Sequence, residues 1–487
     1  MPNVASRYPL AIMAGASFSF LAFSAVVILL SYLGRQQAWR QAILLIASLV
    51  FLYLCADRQS LVPLIAFVAL GYAGLKLVES GRKYIATPMV VATILIYIWL
   101  KKYTFVPPSI FLKISYTTLG LSYIFFRIIH LLEDAKADAL PGKVGLVPYL
   151  IYTLSFTTLI AGPIQRYQEF DTSQREARRP SVVTAGVAIE RIVIGLFKTN
   201  VMALVFSTLQ ADAINRVTTA MSWQTRVAQG AVVIASYPFF LYCNFSGYID
   251  IVIGIARLIG LTLPENFDRP FSADNFIDFW NRWHITLSTW LKTYVFFPLV
   301  MTLMNRFPAE SLAPLWGVLA FFVTFFLVGA WHGQTSAFLF FGVLQGLGVS
   351  MNKLYQIVVG ASLGRQRMKV LASNGFYIAV CRGLTFTWFA FTLAWFWSSW
   401  SNLDRLAKAM GASAILASLV VILIGATLGL ALWEAGRAAL LSIQWRNQVV
   451  LRSRYVRTAW CTALVLITIA AGLLVHQQAP EIVYKAF

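Results

Sequence analysis

The sequence predicts an all-α polytopic membrane protein, and three observations support this class. Of its 487 residues, 59% are hydrophobic and only 12% are charged, and the mean hydropathy is +0.72. A soluble domain carries about 25% charged residues, so this chain lacks the polar side chains that a water-facing surface needs. Long apolar runs recur along its whole length, and at about 20 residues per span there is room for about 10 to 13 spans.

Apolar runs suited to membrane spans follow one another along the chain. They lie near residues 8–32, 41–56, 60–78, 84–100, 111–132, 146–163, 182–210, 228–244, 248–263, 314–331, 335–351, 374–399, 411–433 and 459–476. Several are shorter than a full span, so we expect re-entrant or interfacial helices among them. The longest polar connectors are 164–181, 264–281, 352–373 and 434–458. None of these could hold a soluble domain, and with no internal repeat in view we expect one domain over 1–487.

The first apolar run follows a single basic residue, Arg7, and extends to about Tyr32. It is longer than the apolar core of a signal peptide, so it predicts an uncleaved first span. Cleavage near the Ala-rich stretch Ala14–Ala16 is the alternative.

The formal net charge of +20 comes from basic residues that fall mostly between the apolar runs. Examples are Arg35/Arg40, Arg82/Lys83, Lys101/Lys102, Arg175/Arg178/Arg179, Arg365/Arg367/Lys369 and Arg452/Arg454/Arg457. This distribution is typical of the positive-inside bias and of contact with anionic headgroups. We therefore expect membrane lipids as partners and no nucleic acid. The four cysteines (Cys55, Cys243, Cys381 and Cys461) are far apart and predict buried free thiols without metal-ligand spacing.

Two segments carry polar residues where a simple span would not. The run 182–210 contains Glu190, Arg191 and Lys198, and a spacing of seven places Arg191 and Lys198 on one helix face. Charges at membrane depth are costly and usually face a polar interior. The alternative is an interfacial helix whose lysine reaches the headgroups.

The second such segment is the predicted helix Asp278–Pro298. At 100° per residue, Asn281, His284, Ser288 and Lys292 share one sector. The opposite side carries Trp280, Trp283, Leu287, Trp290 and Leu291. We expect the polar stripe to face something other than lipid, and Pro298 to end or kink the helix.

Two of the four histidines are candidates for chemistry. His332 follows Trp331 at the end of an apolar run, where a neutral imidazole can act as a general base; a satisfied core histidine is the alternative. His284 lies on the polar stripe, and a packing role is its alternative. We expect His130 to be structural and His476 to be interfacial.

The tract NFSGYID (244–250) places polar groups between two apolar runs. Ser246-Gly247 is a turn or helix-break signal. Asp250 is interpreted equally as a helix cap or as a site residue. The sequence holds no GxSxG elbow, P-loop or HExxH motif.

Several tracts together resemble the membrane-bound O-acyltransferase family. They are LPENFDRPF (263–271), DFWNRWHITLSTWL (278–291) and WHG (331–333), preceded by LIAGPIQRYQEF (159–170), GLFKTN (195–200) and NFSGYID, and followed by WFWSSWSNLDRLAKAM (395–410). The nearest branch contains bacterial alginate O-acetyltransferases and teichoic-acid D-alanyltransferases. The resemblance covers about 110–410, between N-terminal spans (1–105) and C-terminal spans (411–487). Two departures, Asn244 where aspartate is common and no Gly-Gly-Asn turn after TYVFFPL, bear on the acceptor.

The resemblance implies a ring or funnel of about eleven transmembrane helices, with re-entrant and interfacial helices around a central tunnel. It implies that His332 is catalytic and that His284 is a supporting active-site residue. It also implies that a thioester donor enters from the cytoplasmic side and that a hydroxyl acceptor, or an extracytoplasmic partner, receives the acyl group.

The sequence therefore predicts an O-acyltransferase of the bacterial inner membrane that acetylates a cell-surface or secreted polysaccharide. His332 is the predicted base, and Asn281, Trp331, Ser288, Asp250 and Tyr248 are predicted supporting or substrate-binding residues. We expect Arg282 to pair with Asp278, no tightly bound cofactor or metal, and acetyl-CoA as the donor. The alternatives are D-alanyl transfer from a carrier protein, transfer of a long acyl chain to a lipid, and a transporter or glycan-export channel without catalysis.

Overall fold

The computed structural model describes residues 17–34, 36–114, 116, 119–177, 179–220, 222–445, 448–474 and 480. By its internal contacts the chain divides into two compact units. The first comprises 1–200, 244–264 and 478–487, and the second comprises 201–243 and 265–477. The expectation of one domain over 1–487 stays a prediction.

The described residues are almost entirely helical. The first ten α-helices are α1 (Phe18–Ser31), α2 (Gln37–Cys55), α3 (Arg58–Glu79), α4 (Ala86–Leu100), α5 (Leu121–Lys136), α6 (Leu146–Leu154), α7 (Tyr167–Arg175), α8 (Val182–Phe197), α9 (Ala203–Thr219) and α10 (Trp223–Ile259). The next ten are α11 (Phe276–Arg282), α12 (Ile285–Leu291), α13 (Phe297–Arg306), α14 (Ala313–His332), α15 (Ser336–Ser373), α16 (Gly375–Thr392), α17 (Ala394–Trp397), α18 (Trp400–Met410), α19 (Ala412–Ser442) and α20 (Arg454–Leu474).

The remaining regular elements are short. π-helical turns, Lys198–Met202 and Lys292–Phe296, join α8 to α9 and α12 to α13. 3₁₀ turns lie at Lys83–Ile85, Pro108–Ile110, Pro270–Ser272 and Val450–Arg452. Two short strands, β1 (Gln444–Trp445) and β2 (Gln448–Val449), pair antiparallel.

Eleven helical stretches in the described part of the chain are long and apolar enough to cross a membrane. They are Gln37–Cys55, Arg58–Glu79, Lys83–Leu100, Val182–Thr219, Trp223–Ile259, Ile285–Arg306, Ala313–His332, Ser336–Ser373, Gly375–Trp397, Ala412–Ser442 and Arg454–Leu474. The predicted class, an all-α polytopic membrane protein, is confirmed. Of the first predicted span, the described part is the shorter apolar helix α1; Arg7 and Ala14–Ala16 lie outside the described residues.

Two predicted spans, 111–132 and 146–163, are wrong. The helices there, α5 and α6, are too short to be candidate spans, and α5 is buried on nearly all faces. Its polar residues explain this burial. Arg127 Nη1 donates to the carbonyl oxygen of Thr153 at 2.8 Å and Nη2 donates to Thr158 Oγ1 at 2.5 Å. The apolar side chains of α5 therefore serve a protein interior rather than a lipid-facing surface.

The predicted break between the runs 228–244 and 248–263 is also wrong, because α10 runs through both. Its residues up to Cys243 belong to the second unit and those from Asn244 to the first. Gly247 is needed for a close approach within the first unit. A Cβ there would lie only 2.8 Å from the carbonyl oxygen of Gly195 on α8. The Ser-Gly pair that resembles a turn signal is thus a helix-packing contact.

The connector predicted at 352–373 is helical as well, since α15 extends to Ser373. Its only interruption is Gly364, whose φ of 75° lies in the left-handed region. Within the second unit, α14 and α15 pack closely through glycines. A Cβ on Gly329 would overlap the backbone of Gly342, and one on Gly346 would come 2.7 Å from the carbonyl oxygen of Phe322. These contacts fix the end of α14, where His332 lies.

Candidate active site

The predicted continuous helix 278–298 is interrupted at His284. Helix α11 ends at Arg282, and His284 has a left-handed φ of 45° before α12 begins. Such a conformation costs a non-glycine residue about 1–3 kcal/mol and persists where the surroundings over-determine it. After Leu291 the helical path continues through the π-helical turn into α13, so Pro298 does not end it.

Asn266, in the tract LPENFDRPF, supplies the contacts that hold this interruption. Its backbone carbonyl accepts from the N–H of Ile285 at 3.0 Å. Its side-chain Oδ1 accepts from the N–H and the hydroxyl of Thr286 at 3.1 and 2.9 Å. The neighbouring Phe267 forms an antiparallel bridge with Trp283. Two backbone N–H groups that the break removes from the helix are thereby satisfied.

The same amide oxygen determines the tautomer of His284. Nδ1 of His284 lies 3.2 Å from Asn266 Oδ1, and the backbone N–H of Thr286 identifies that atom as the oxygen. Nδ1 must therefore carry the hydrogen, and in the neutral ring Nε2 is then a lone-pair acceptor. His284 has no exposed surface, and burial disfavours the charged imidazolium.

His332 is the last residue of α14, and the chain after it is extended at Gly333. A Cβ on Gly333 would overlap the ring of Phe338 on α15. His332 is 2% exposed, and its ring lies 5.0 Å from that of Phe396 and 6.1 Å from that of Phe341, centroid to centroid. The small residues around this histidine thus admit the neighbouring helix.

The Trp331 ring lies close to the rings of both histidines. Its ring centroid lies 6.2 Å from that of His284 and 4.6 Å from that of His332. Trp331 is itself buried. Two buried imidazoles against one indole form a site in which proton transfer to or from a hydroxyl can occur.

The rest of the predicted polar stripe lies on the other side of the interruption. Asn281 closes α11, Ser288 lies in α12, and Lys292 begins the π-helical turn. Lys292 Nζ donates to Asn281 Oδ1 at 3.4 Å, so these two residues do meet. All three line one small cavity. The predicted pair Arg282–Asp278 is present at 2.9 Å.

Two predicted supporting residues, Asp250 and Tyr248, belong to the first unit. Asp250 lies inside α10, so it is not a helix cap. Arg191 Nε donates to its Oδ1 at 2.9 Å and Lys198 Nζ to its Oδ2 at 2.7 Å. Arg191 and Lys198 therefore share a face, as predicted, and they point at a carboxylate rather than at headgroups. Tyr248 is fully buried.

Of the other two histidines, the described one, His130, makes its contacts within the first unit. In the first unit, the backbone N–H of Tyr167 donates to His130 Nε2 at 2.8 Å, and Nδ1 lies 3.6 Å from Asp134. Burial lowers the pKa of His130 below its usual value, which keeps the ring neutral in a structural contact. His476 lies outside the described residues. Of the four cysteines, Cys55 and Cys243 are buried, and Cys381 and Cys461 are partly buried.

Sequence reasoning missed two residues of the site, Asn266 and Phe396. Asn266 lies in the tract LPENFDRPF. Its contact with His284 depends on an interruption of the helix that helical periodicity does not predict. The signal that was present is an uncharged polar residue in a tract flanked by Pro264 and Pro270. Phe396 lies on α17 and carries no polar signal.

Comparison with known proteins agrees with these observations. The model of the membrane-bound O-acyltransferase family matches residues 17–396. The chain is 28% identical over 233 residues to a teichoic acid D-alanyltransferase of Bacillus subtilis, which is 46% of this chain and 56% of that protein. It is 32% identical over 212 residues to a peptidoglycan O-acetyltransferase of Helicobacter pylori (42% and 37%). It is 31% identical over 226 residues to a probable alginate O-acetylase of Pseudomonas aeruginosa (44% and 41%).

These matches span about half or less of each relative's length. The family match covers most of the chain and includes both histidines of the site. Together with the eleven candidate spans, it shows that this multi-pass membrane protein belongs to the membrane-bound O-acyltransferase family.

Proposed function

We propose that this protein is an O-acyltransferase that moves an acetyl group from a cytoplasmic thioester to hydroxyl groups of a cell-surface or secreted polysaccharide. The observation that carries the proposal is the pair of buried histidines, His284 and His332, held against Trp331. Family membership supports acyl transfer.

The proposed reaction balances with one histidine as the base. His332 takes the proton of the acceptor hydroxyl as its oxygen attacks the thioester carbonyl. The tetrahedral intermediate then collapses, the carbon–sulfur bond breaks, and the thiolate receives the proton from the His332 imidazolium. The products are an ester and a free thiol. A general base of this kind contributes about 10²–10⁴-fold to the rate.

His284 takes a different part because Asn266 fixes its tautomer. With Nδ1–H donated to Asn266, neutral His284 presents an acceptor at Nε2. It can orient the acceptor hydroxyl but cannot donate a hydrogen bond to the oxyanion while it is neutral. Asn281, the other predicted orienting residue, has an oxygen that already accepts from Lys292, so its amide nitrogen is the group that it can offer to a substrate.

The names of the relatives support a polysaccharide acceptor. Two of them are named for peptidoglycan O-acetylation and alginate O-acetylation. A second candidate, D-alanyl transfer from a carrier protein, is favoured by the similarity to teichoic acid D-alanyltransferases. Both use a thioester donor and both fit the same histidine pair.

The proposal includes a setting for the enzyme. We place it in the bacterial inner membrane, with acetyl-CoA as the donor substrate and no tightly bound cofactor. The acceptor polysaccharide, or a protein that passes the acetyl group to it, approaches from the extracytoplasmic side. Membrane lipids surround the spans.

His332→Ala tests the proposal. Transfer of labelled acetyl from acetyl-CoA to polymer should fall by about 10²–10⁴-fold, because the base is lost. The purified variant should retain the unfolding temperature of the wild type, measured by tryptophan fluorescence, which separates loss of chemistry from loss of fold.

The rival functions give different results in the same assay. Labelled D-alanyl-carrier used in place of acetyl-CoA selects between the two donors. If His332→Ala transfers acetyl at the wild-type rate at equal protein level, or if the protein moves polymer without acylating it, the enzyme proposal is wrong.

A further inference from the structure

A small cavity beside the candidate active site is lined by hydrogen-bond donors and one lysine. It lies within the second unit and has a volume of about 40 Å³. Its polar lining comes from Trp280, Asn281, Ser288 and Lys292, and its apolar lining includes Leu291, Phe296, Phe321 and Phe325. A water needs about 10–15 Å³ of such space. The cavity therefore accepts one compact polar group, and the rest of a larger ligand must lie outside it.

Lys292 is the charged member of this lining, and its surroundings do not neutralise it. It lies within the candidate span Ile285–Arg306. Its recorded contact is with the neutral Asn281 amide, at 3.4 Å, and among the residues that the structure describes no carboxylate lies within ion-pair distance. Lys292 is exposed, so a ligand that enters from outside can reach it, and a cation in a candidate span indicates a functional site by default.

Trp280 provides an independent sign of a missing partner. It is 3% exposed, and within the described part of the chain its indole N–H meets no hydrogen-bond acceptor. Buried N–H groups are normally paired. Because an indole nitrogen only donates, the group that satisfies it must bring an acceptor.

The remaining polar groups of the lining can also act as hydrogen-bond donors. The oxygen of Asn281 is occupied by Lys292, so its amide nitrogen is the group left to donate. The Ser288 hydroxyl makes a long bond of 3.4 Å to the carbonyl oxygen of Trp283 and can turn toward a ligand. One cation and three neutral donors around a compact space complement an oxyanion.

We propose that this cavity binds a phosphate ester, with Lys292 as its counter-charge and Trp280 as a buried donor. The inference rests on the proposed function, since both thioester donors considered, coenzyme A and a loaded carrier protein, carry the same phosphopantetheine phosphate. Helix α12 separates Lys292 from His284 by seven residues, which is about 10 Å of helical rise. A pantetheine arm anchored at its phosphate spans that distance to the histidines.

The test is a binding measurement on the full chain in lipid nanodiscs, with unacylated coenzyme A as the probe. Lys292→Gln should weaken its affinity by about tenfold, since a charge-assisted hydrogen bond is lost. Lys292→Arg should bind within threefold of the wild type. Pantetheine, which lacks the phosphate, should bind the wild type and Lys292→Gln equally. Lys353→Gln, which changes a lysine of another span outside this cavity, should leave coenzyme A affinity unchanged.

A lipid headgroup is the other source of a phosphate ester. Native mass spectrometry counts the phosphatidylglycerol that stays bound to the wild type and to Lys292→Gln. A lipid lost from the variant at unchanged coenzyme A affinity would support the phosphate site and assign it to lipid. Unchanged binding of both probes would overturn the proposal.

The outcome for the site is separate from the outcome for the proposed function. His332→Ala should lower transfer by about 10²–10⁴-fold and leave coenzyme A affinity intact. Lys292→Gln should raise the KM for acetyl-CoA with little change in kcat. If no donor is transferred by the wild type but coenzyme A binding depends on Lys292, the proposed function fails and the phosphate site stands.

Discussion

Lys198 and Lys292 both lie inside candidate membrane spans, yet their surroundings differ. In the first unit, Lys198 Nζ lies 2.7 Å from Asp250, which also accepts from Arg191 at 2.9 Å. In the second unit, Lys292 Nζ contacts the neutral amide of Asn281 at 3.4 Å. The first lysine has a counter-charge within the protein, whereas the second has none within the residues that the structure describes.

The difference teaches how to read charges in a membrane chain. A charge at membrane depth indicates a functional site by default. When a carboxylate of the protein forms an ion pair with that charge, the contact is structural. Both runs, 182–210 and 278–298, carry polar residues on one face of a predicted helix. The counter-charge, which lies on another helix about 50 residues away in the chain, decides between them.

The largest expected effect is on the stability of the ion-paired cluster that Asp250 forms with Arg191 and Lys198. Asp250→Asn keeps the shape of the side chain but leaves Arg191 and Lys198 without their carboxylate. Breaking a buried ion pair by removing one partner costs about 3 kcal/mol. We expect a loss of about that size in the free energy of unfolding, measured by denaturation with sodium dodecyl sulfate in mixed micelles.

The matched control is Asp278→Asn, which removes the carboxylate of the more exposed pair with Arg282. The Asp278 side chain is 29% exposed against 14% for Asp250, and pairs of this kind contribute about 0–1 kcal/mol. Equal losses for the two variants would contradict the structural role assigned to Asp250.

Asn266 extends the comparison to the candidate site, where its side chain contacts His284 on one side of the imidazole ring. Asn266→Ala removes the oxygen that accepts from Thr286 and from His284 Nδ1, and the loss of one partner from a buried hydrogen-bonded group costs about 1–3 kcal/mol. We expect a loss of about 2 kcal/mol in stability. We also expect a lower kcat for acetyl transfer, because the tautomer of His284 is no longer fixed.

Asn266→Asp is the conservative partner of this variant, since a carboxylate oxygen can accept the same hydrogen bonds. It should restore kcat toward the wild-type value and strengthen the basicity of His284. The pH dependence of kcat separates positioning from packing. If both variants lose stability alike and neither alters the pH profile, Asn266 has only a structural part.

Composition and apolar periodicity predicted the class of the fold but not its two main surprises. Helix α10 is continuous where a break was predicted, and α5 is buried where a span was predicted. Both outcomes are explained only when the packing partners are considered. Ser246-Gly247 suggests a turn until the approach of Gly195 is considered, and the run 111–132 suggests a span until Thr153 and Thr158 are seen to accept hydrogen bonds from Arg127. Local pattern reports a residue's own preferences, whereas these outcomes depend on contacts from distant parts of the chain.

The candidate site shows the same division. His284 and His332 were identified from motif and depth, and Asn281, Ser288 and Lys292 from one helix face. That face does not exist as an unbroken helix, because His284 adopts a left-handed conformation. Asn281 and Lys292 still meet, since the interruption and the π-helical turn redirect the chain rather than separate them. The partner that holds the interruption, Asn266, could not be found by periodicity.

The smallest expected effect is also the most direct comparison of the two lysines. Lys198→Met removes one of two donors to Asp250 and should cost about 1 kcal/mol of stability, the value of one hydrogen bond that is not replaced. Lys292→Met loses only a long contact to Asn281 and removes a cation from a span, so stability should change by less than about 0.5 kcal/mol. Unfolding in mixed micelles measures both variants under identical conditions. Both variants are compared in the absence of coenzyme A and anionic lipid. If Lys292→Met then destabilises the protein more than Lys198→Met, Lys292 is stabilised by the protein itself. The contrast between a lysine with an internal counter-charge and one without it would then be wrong.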